Sequence, residues 1–306
     1  MALSLAACGN TASTTSESTA SESTASESSA TAEAAGEEAA ASDFDNTQAI
    51  TVITREEGSG TRGAFIELTG VEEKNDAGEK VDNTSAGAAT QNSTNGVMTT
   101  VANDETAIGY ISLGSLNDTV KAVTVGGVAA SAETVKDGTY TLARPFNIVT
   151  NGDATDPVAV DFINYCMSID GQALATEDGY IGSDDAAAFE STQPSGSITV
   201  GGSSSVSPLM EKLIEAYEGV NPNASIELLT TDSTVGVSGA LDGTYTIGMA
   251  SRELKDSEVE AGAKATVLAM DGIAVVVNPA NPIEDLTIDQ IKSIYTGETT
   301  TWDAIQ

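Results

Sequence analysis

The chain has 306 residues, enough for a sizeable core in one large domain or two lobes. Its formal net charge of -34 argues against a nucleic-acid partner, because a phosphate backbone repels such a surface, and it disfavours direct contact with anionic lipid headgroups. Histidine is absent, which removes a Ser-His-Asp triad, a Cys-His pair and histidine-based zinc sites, and the two cysteines, Cys8 and Cys166, can build neither a disulfide framework nor a four-thiolate metal site.

The chain opens Met1-Ala2-Leu3-Ser4-Leu5-Ala6-Ala7-Cys8-Gly9. Leu5-Ala6-Ala7-Cys8 resembles a bacterial lipobox, in which small residues precede a cysteine that is lipidated after cleavage. The basic and most of the apolar part of such a signal are missing, so the expected start lies upstream of Met1. The alternative is an ordinary cysteine in a disordered start. Residues 9–45 are dominated by Ser, Thr, Ala and Glu, which cannot bury enough surface to offset their ordering entropy. They read as a flexible acidic tether. No apolar run is long enough to span a membrane.

From about Gln48, short apolar runs alternate with amphipathic stretches. Ile50–Ile53 reads as a strand, followed by Gly58-Ser59-Gly60 and a helix through Ala64, Phe65 and Leu68. A helix is expected at Pro157–Met167, where Cys166 shares the apolar face with Phe162, Ile163 and Met167 and reads as a small buried hydrophobe. Ser197–Val200 is another strand, followed by Gly201-Gly202-Ser203 and a helix whose Leu209, Met210, Leu213, Ile214 and Tyr217 share one face. Pro208 suits the start of that helix. Further strands are expected at Ser225–Leu229, Thr246–Met249, Ala265–Leu268 and Gly272–Val277, and a helix at Ile288–Tyr295. Trp302, Tyr110 and Phe146 read as packing residues. The alternation implies an α/β fold with largely parallel pairing, and such sheets bind ligands at the carboxyl ends of their strands.

Two glycine- and serine-rich turns thus recur between a strand and a helix: Arg55-Glu56-Glu57-Gly58-Ser59-Gly60-Thr61-Arg62-Gly63 and Gly201-Gly202-Ser203-Ser204-Ser205-Val206-Ser207-Pro208. Each offers backbone N–H groups, hydroxyl donors and a positive helix end, the components of an oxyanion site. Each is equally readable as a turn with an N-cap. Neither is the phosphate loop of nucleotide hydrolases, because no Gly-Lys-Ser/Thr follows.

From about Ile50 to Ile305 the chain resembles the phosphate-binding protein of ABC-type phosphate importers. The resemblance is most specific at Arg55–Phe65, and it implies that Arg55, Ser59, Gly60 and Thr61 hold phosphate oxygens. The segment Gly202–Met210 is similar to the family's first binding loop, which implies Ser204, Ser205 and the Val206 N–H as ligands. Asp232-Ser233-Thr234-Val235-Gly236 resembles the second loop, with Ser233 and Thr234. Ile247–Leu254 resembles the third, with Ser251 and Arg252. Some family members carry near Ser251 an aspartate that accepts the phosphate proton; here Arg252 stands beside Ser251, and Glu57 and Asp232 are the candidate acceptors. For each of these two the alternative is a solvated surface carboxylate. Arg62 is either an added charge at the site or a surface helix arginine, and Arg252 either that or half of a salt bridge.

The segments come in a different order from the family's, where the Gly-Ser-Ser-Ser type of segment precedes the Arg-x-x-Gly-Ser-Gly-Thr type. A circular permutation, with residues 191–197 bridging the family's end to its beginning, is the simpler reading; a truncated gene is the rival. The resemblance implies a two-lobed periplasmic-binding-protein-like α/β fold of type II, with the ligand in the cleft and closure by a hinge. Lobe B would comprise 46–150 plus 273–306, and lobe A 151–272, with crossings near Gly272–Val277 and in the Ile108–Leu116 to Ala143–Val149 region. The implied protein is no enzyme and has no cofactor or metal. It is a monomer on the extracellular face of the cell membrane, held there through a lipid anchor only, whose partners are inorganic phosphate and the permease subunits of an ABC transporter. A binding protein for sulfate or molybdate, a non-transport signalling lipoprotein and a phosphate-ester hydrolase are the competing readings.

Overall fold

In the computed structural model, which describes residues 44–305, the apolar runs become strands and the amphipathic runs the helices between them. Cys8 with the expected lipobox, and the expected tether up to residue 43, lie outside the described residues. The first half contains β1 (Thr51–Arg55), α1 (Gly60–Leu68), the small hairpin β2 (Glu72–Lys74) and β3 (Lys80–Asp82), β4 (Ala89–Gln91), α2 (Thr94–Ala102), β5 (Ala107–Ser112), β6 (Lys121–Ala122), β7 (Thr124–Val125), α3 (Ala132–Lys136) and β8 (Ala143–Asn151). Helices α4 (Pro157–Cys166) and α5 (Ile169–Glu177) follow. The second half contains β9 (Gly196–Ser203), α6 (Ser207–Val220), β10 (Ala224–Thr231), α7 (Ser233–Asp242), β11 (Ile247–Ala250), α8 (Asp256–Glu260), β12 (Ala263–Val277), β13 (Asp285–Leu286) and α9 (Ile288–Thr296).

One sheet runs in the order β10-β9-β11-β8-β12-β5-β1-β4, with β6 also paired to β12. The expected parallel pairing is found at its two ends, in β10-β9-β11 and in β5-β1-β4. The middle is antiparallel, because β8 and β12 run against each other and against their outer neighbours. The two strands expected at Ala265–Leu268 and Gly272–Val277 are one 15-residue strand. Its first part, to Gly272, pairs with β8, and from Ile273 it pairs with β5. The apolar pattern breaks at Met270-Asp271-Gly272 because this stretch passes between the lobes, not because the strand ends. All of β8 pairs with the first part of β12, and its Asn147–Val149 pairs with β11 as well.

Each lobe has its own core. One gathers Phe146, Phe162, Tyr165, Leu209, Leu213, Tyr217 and Ile247. The other gathers Phe65, Ile108, Tyr110, Val275, Ile291, Tyr295 and Trp302. The expected face of α6 is buried, and Cys166 is fully buried in the first core, where desolvation pushes its thiol far above the ordinary value. Helix α7 lies unusually close on β9 and β11. A methyl at Gly202 or Gly236 would run into the Met249 carbonyl, and one at Gly248 into the Gly236 carbonyl, so three glycines permit the approach that carries Ser233 inward.

Candidate functional site

The end of β1 is fixed by the core beneath it. Tyr110 on β5 stacks on Phe65 at 3.9 Å, and its hydroxyl bonds Thr54 Oγ1 at 2.9 Å and accepts the Arg55 N–H at 3.1 Å. The Arg55 side chain is thereby turned into the boundary between the lobes, where Arg55 is 2% exposed. Its Nε and Nη2 donate to the two Glu56 carboxylate oxygens at 2.8 and 2.7 Å, and Nη2 also donates across the boundary to Ser204 Oγ at 3.1 Å. Ser59 caps α1 by accepting the Arg62 N–H. Gly60 and Thr61 occupy the first two helical positions, whose N–H groups have no carbonyl within the helix to bond.

The second turn answers from the other lobe. Ser205 Oγ meets Thr61 Oγ1 at 2.8 Å and Thr94 Oγ1 at 3.2 Å. Ser203 Oγ donates to Ser251 Oγ at 2.9 Å, and Ser233 Oγ accepts the Ser251 N–H at 3.0 Å and lies 3.3 Å from Ser251 Oγ. Gly60 closes over this group: a methyl there would strike Ser233 Oγ and come within 2.7 Å of Ser251 Oγ. Arg55, Gly60, Thr61, Ser204, Ser205, Ser233 and Ser251 thus form one buried cluster contributed by both lobes.

Other residues expected at the site are engaged elsewhere. The Val206 N–H donates to the Ser203 carbonyl, and its side chain is in the core. Thr234 donates both its N–H and its hydroxyl to the Gly58 carbonyl, at 3.1 and 3.2 Å, which makes it a latch between lobes. Asp232 caps α7 by accepting the Val235 N–H, and its carboxylate packs against Gly58. Glu57 is exposed. Neither is a buried acceptor. Arg252 forms a two-pronged ion pair with Glu258 at 2.8 Å. Burial opposes the Glu258 charge, but Arg252 and the Lys255 N–H outweigh it and hold the carboxyl below its ordinary value. Arg62 pairs with Asp82 and donates to the Arg55 carbonyl at 2.7 Å.

Three contributors had little signal in the sequence. Thr94 starts α2, a helix with a glycine in its first turn. Arg144 on β8 and Asp271 on β12 form a fully buried ion pair at 3.1 Å where the lobes meet. Arg144 also donates to the Ser251 carbonyl at 3.1 Å, and Asp271 accepts Ser112 Oγ at 2.9 Å, which joins the third loop to the crossing strand. Burial pushes Asp271 up to about 6, although Arg144 and Ser112 pull it down. All four arginines of this acidic chain, Arg55, Arg62, Arg144 and Arg252, are therefore gathered along the boundary between lobes. Each is paired with a carboxylate: Arg55 with Glu56, Arg62 with Asp82, Arg144 with Asp271 and Arg252 with Glu258. Among the described residues no helix is long and apolar enough to cross a membrane, and no group of three or more His, Cys, Asp or Glu is placed to hold a metal ion.

A model of the PBP superfamily domain matches residues 17–170 and 187–305. The chain is 51% identical over 253 residues to "Phosphate-binding protein PstS 2" of Streptococcus agalactiae serotype V, covering 83% of this chain and 86% of that protein. It is 44% identical over 269 residues to "Phosphate-binding protein PstS 2" of Streptococcus pneumoniae serotype 4, covering 87% and 91%. The crystal structure of a phosphate ABC transporter, phosphate-binding protein from Streptococcus pneumoniae TIGR4 superposes with a TM-score of 0.68 at 44% identity, over 84% of this chain and 100% of that one.

Proposed function

We propose that this chain, which belongs to the PBP superfamily, captures inorganic phosphate between its lobes as the solute-binding component of an ABC phosphate importer. The observation that carries this reading is the convergence of Arg55 and Thr61 from one lobe with Ser204 and Ser205 from the other. Phosphate oxygens accept where these hydroxyls now bond each other. Arg55 supplies charge-assisted bonds, held in plane by Glu56. The starts of α1 and α7 add helix N-termini that favour an anion. Closure is a hinge at the passage of β8 and β12, which brings Thr234 onto Gly58. With Glu57 exposed and Asp232 capping a helix, the Ser233 and Ser251 hydroxyls, which accept as well as donate, accept the hydrogen bond of the phosphate O–H.

The chain binds and releases its ligand without turnover and works as a monomer that meets the permease subunits of the transporter. A lipid on Cys8 holds it to the extracellular face of the membrane, with the acidic tether as spacer. The order of segments is shared with the relatives above, since alignment along the chain runs through 91% of the Streptococcus pneumoniae protein. That agrees with a permuted arrangement in this branch.

Isothermal titration of phosphate into phosphate-free protein, with sulfate as control, tests the reading. One-to-one binding of phosphate with sulfate silent is expected. A well-folded protein that gives no heat with phosphate would sink it.

A further inference from the structure

We infer that Thr94 is a further positioning residue of the cleft: its hydroxyl locks the second arm of Arg55 and clasps Ser205 across the lobe boundary. The inference rests on the phosphate reading above. Thr94 is 4% exposed. Its Oγ1 stands 3.5 Å from Arg55 Nη1 and 3.2 Å from Ser205 Oγ. A guanidinium only donates, so Thr94 accepts from Arg55 and its own proton is left to point towards Ser205 or a bound oxygen. Thr94, like Ser204, accepts from the arginine that holds the ligand charge, whereas Thr61 and Ser205 can exchange donor and acceptor roles.

The geometry gives each arm of Arg55 a separate restraint. Glu56 takes Nε and Nη2, Ser204 takes Nη2, and Thr94 alone meets Nη1. Without Thr94, Nη1 loses its protein partner while Nε and Nη2 keep theirs, and Ser205 loses one of its two threonine partners. The position is fixed by α2, whose Ser93 caps the helix by accepting the Gly96 N–H at 3.1 Å and whose Val97, Met98 and Val101 are buried beneath it. A cavity of about 170 Å³ lies beside it, lined by Ser93, Thr94, Ser115 and Ser204. Ser115 Oγ is buried there without a partner. The pocket that Thr94 borders is therefore polar on both lobes.

The test compares wild type, Thr94→Val and Thr94→Ser by phosphate titration and by stopped-flow release, with thermal melts of each. Valine keeps the shape and removes the hydroxyl; serine keeps the hydroxyl. We expect Thr94→Val to weaken phosphate affinity by roughly tenfold, mostly through faster release, and Thr94→Ser to restore it. Unchanged affinity in Thr94→Val overturns the inference, and so does equal weakening in both variants, which would mark a packing role. Wild type without phosphate affinity overturns the phosphate reading itself, and this inference with it.

Discussion

The two glycine- and serine-rich turns are alike in sequence and differ in what their hydroxyls do. In the first, Ser59 has extended backbone angles and caps its own helix through the Arg62 N–H. In the second, Val206 precedes α6 with helical angles and no side-chain cap, so Ser204 and Ser205 reach other elements, and Ser203 both accepts the Ser205 N–H and donates to Ser251. One turn stabilises its helix locally and presents Arg55, Gly60 and Thr61. The other leaves its helix start to Pro208 and presents three hydroxyls. A serine that caps its own helix is committed locally, and a helix start without a side-chain cap leaves its neighbouring hydroxyls for partners elsewhere.

Breaking the first turn at its charge has the largest expected effect. Arg55→Ala removes the only guanidinium aimed at Ser204, leaves Glu56 unpaired, and should weaken phosphate binding by about a hundredfold or more, read by titration. Next comes its glycine. Gly60→Ala puts a methyl into Ser233 and Ser251, so the lobes should meet less closely and affinity should fall by roughly tenfold. Small-angle scattering with phosphate should then show a larger radius of gyration than for wild type. If Gly60→Ala binds normally, α1 is not the element that closes on the third loop.

The turns are separated most sharply by a pair of serine variants. Ser59→Ala should cost about 1 kcal/mol of stability through its lost cap, read as a lower urea midpoint. Ser204→Ala should cost less stability and weaken phosphate affinity by roughly tenfold, because Arg55 loses its partner on the opposite lobe. Equal effects of the two variants on stability would remove the distinction.

The smallest effect is a dependence on pH at the support of the second turn. Asp271 has an ordinary value of 3.8 and a folded value of about 6 because burial disfavours its charge. Between these values the folded chain binds more protons than the unfolded one. The contribution of Asp271 to stability is therefore greatest at low pH and declines as pH rises from about 4 to about 6. A carboxyl carbon titrating near pH 6 by NMR, absent in Asp271→Asn, is the expected signature. Its absence from wild type would mean that Arg144 outweighs burial.

The sequence by itself determined the strand-turn-helix units, the buried face of α6 and the packing roles of Trp302, Tyr110 and Phe146, and it pointed to seven of the residues that stand together at the lobe boundary. These are legible because periodicity, turn chemistry and the resemblance at Arg55–Phe65 are local properties of the chain. Only the tertiary structure decided that β12 is one strand shared by two lobes, that the middle of the sheet is antiparallel, that Thr234 bonds Gly58, that Asp232 caps α7 and that the Val206 N–H bonds Ser203. It also decided that Thr94, Arg144 and Asp271 belong beside it. These choices depend on partners far along the chain: 149 residues separate Arg55 from Ser204, and 127 separate Arg144 from Asp271. A hydroxyl, an amide or a carboxylate carries no local mark of which distant donor or acceptor will satisfy it, and burial makes it costly to leave one unpaired.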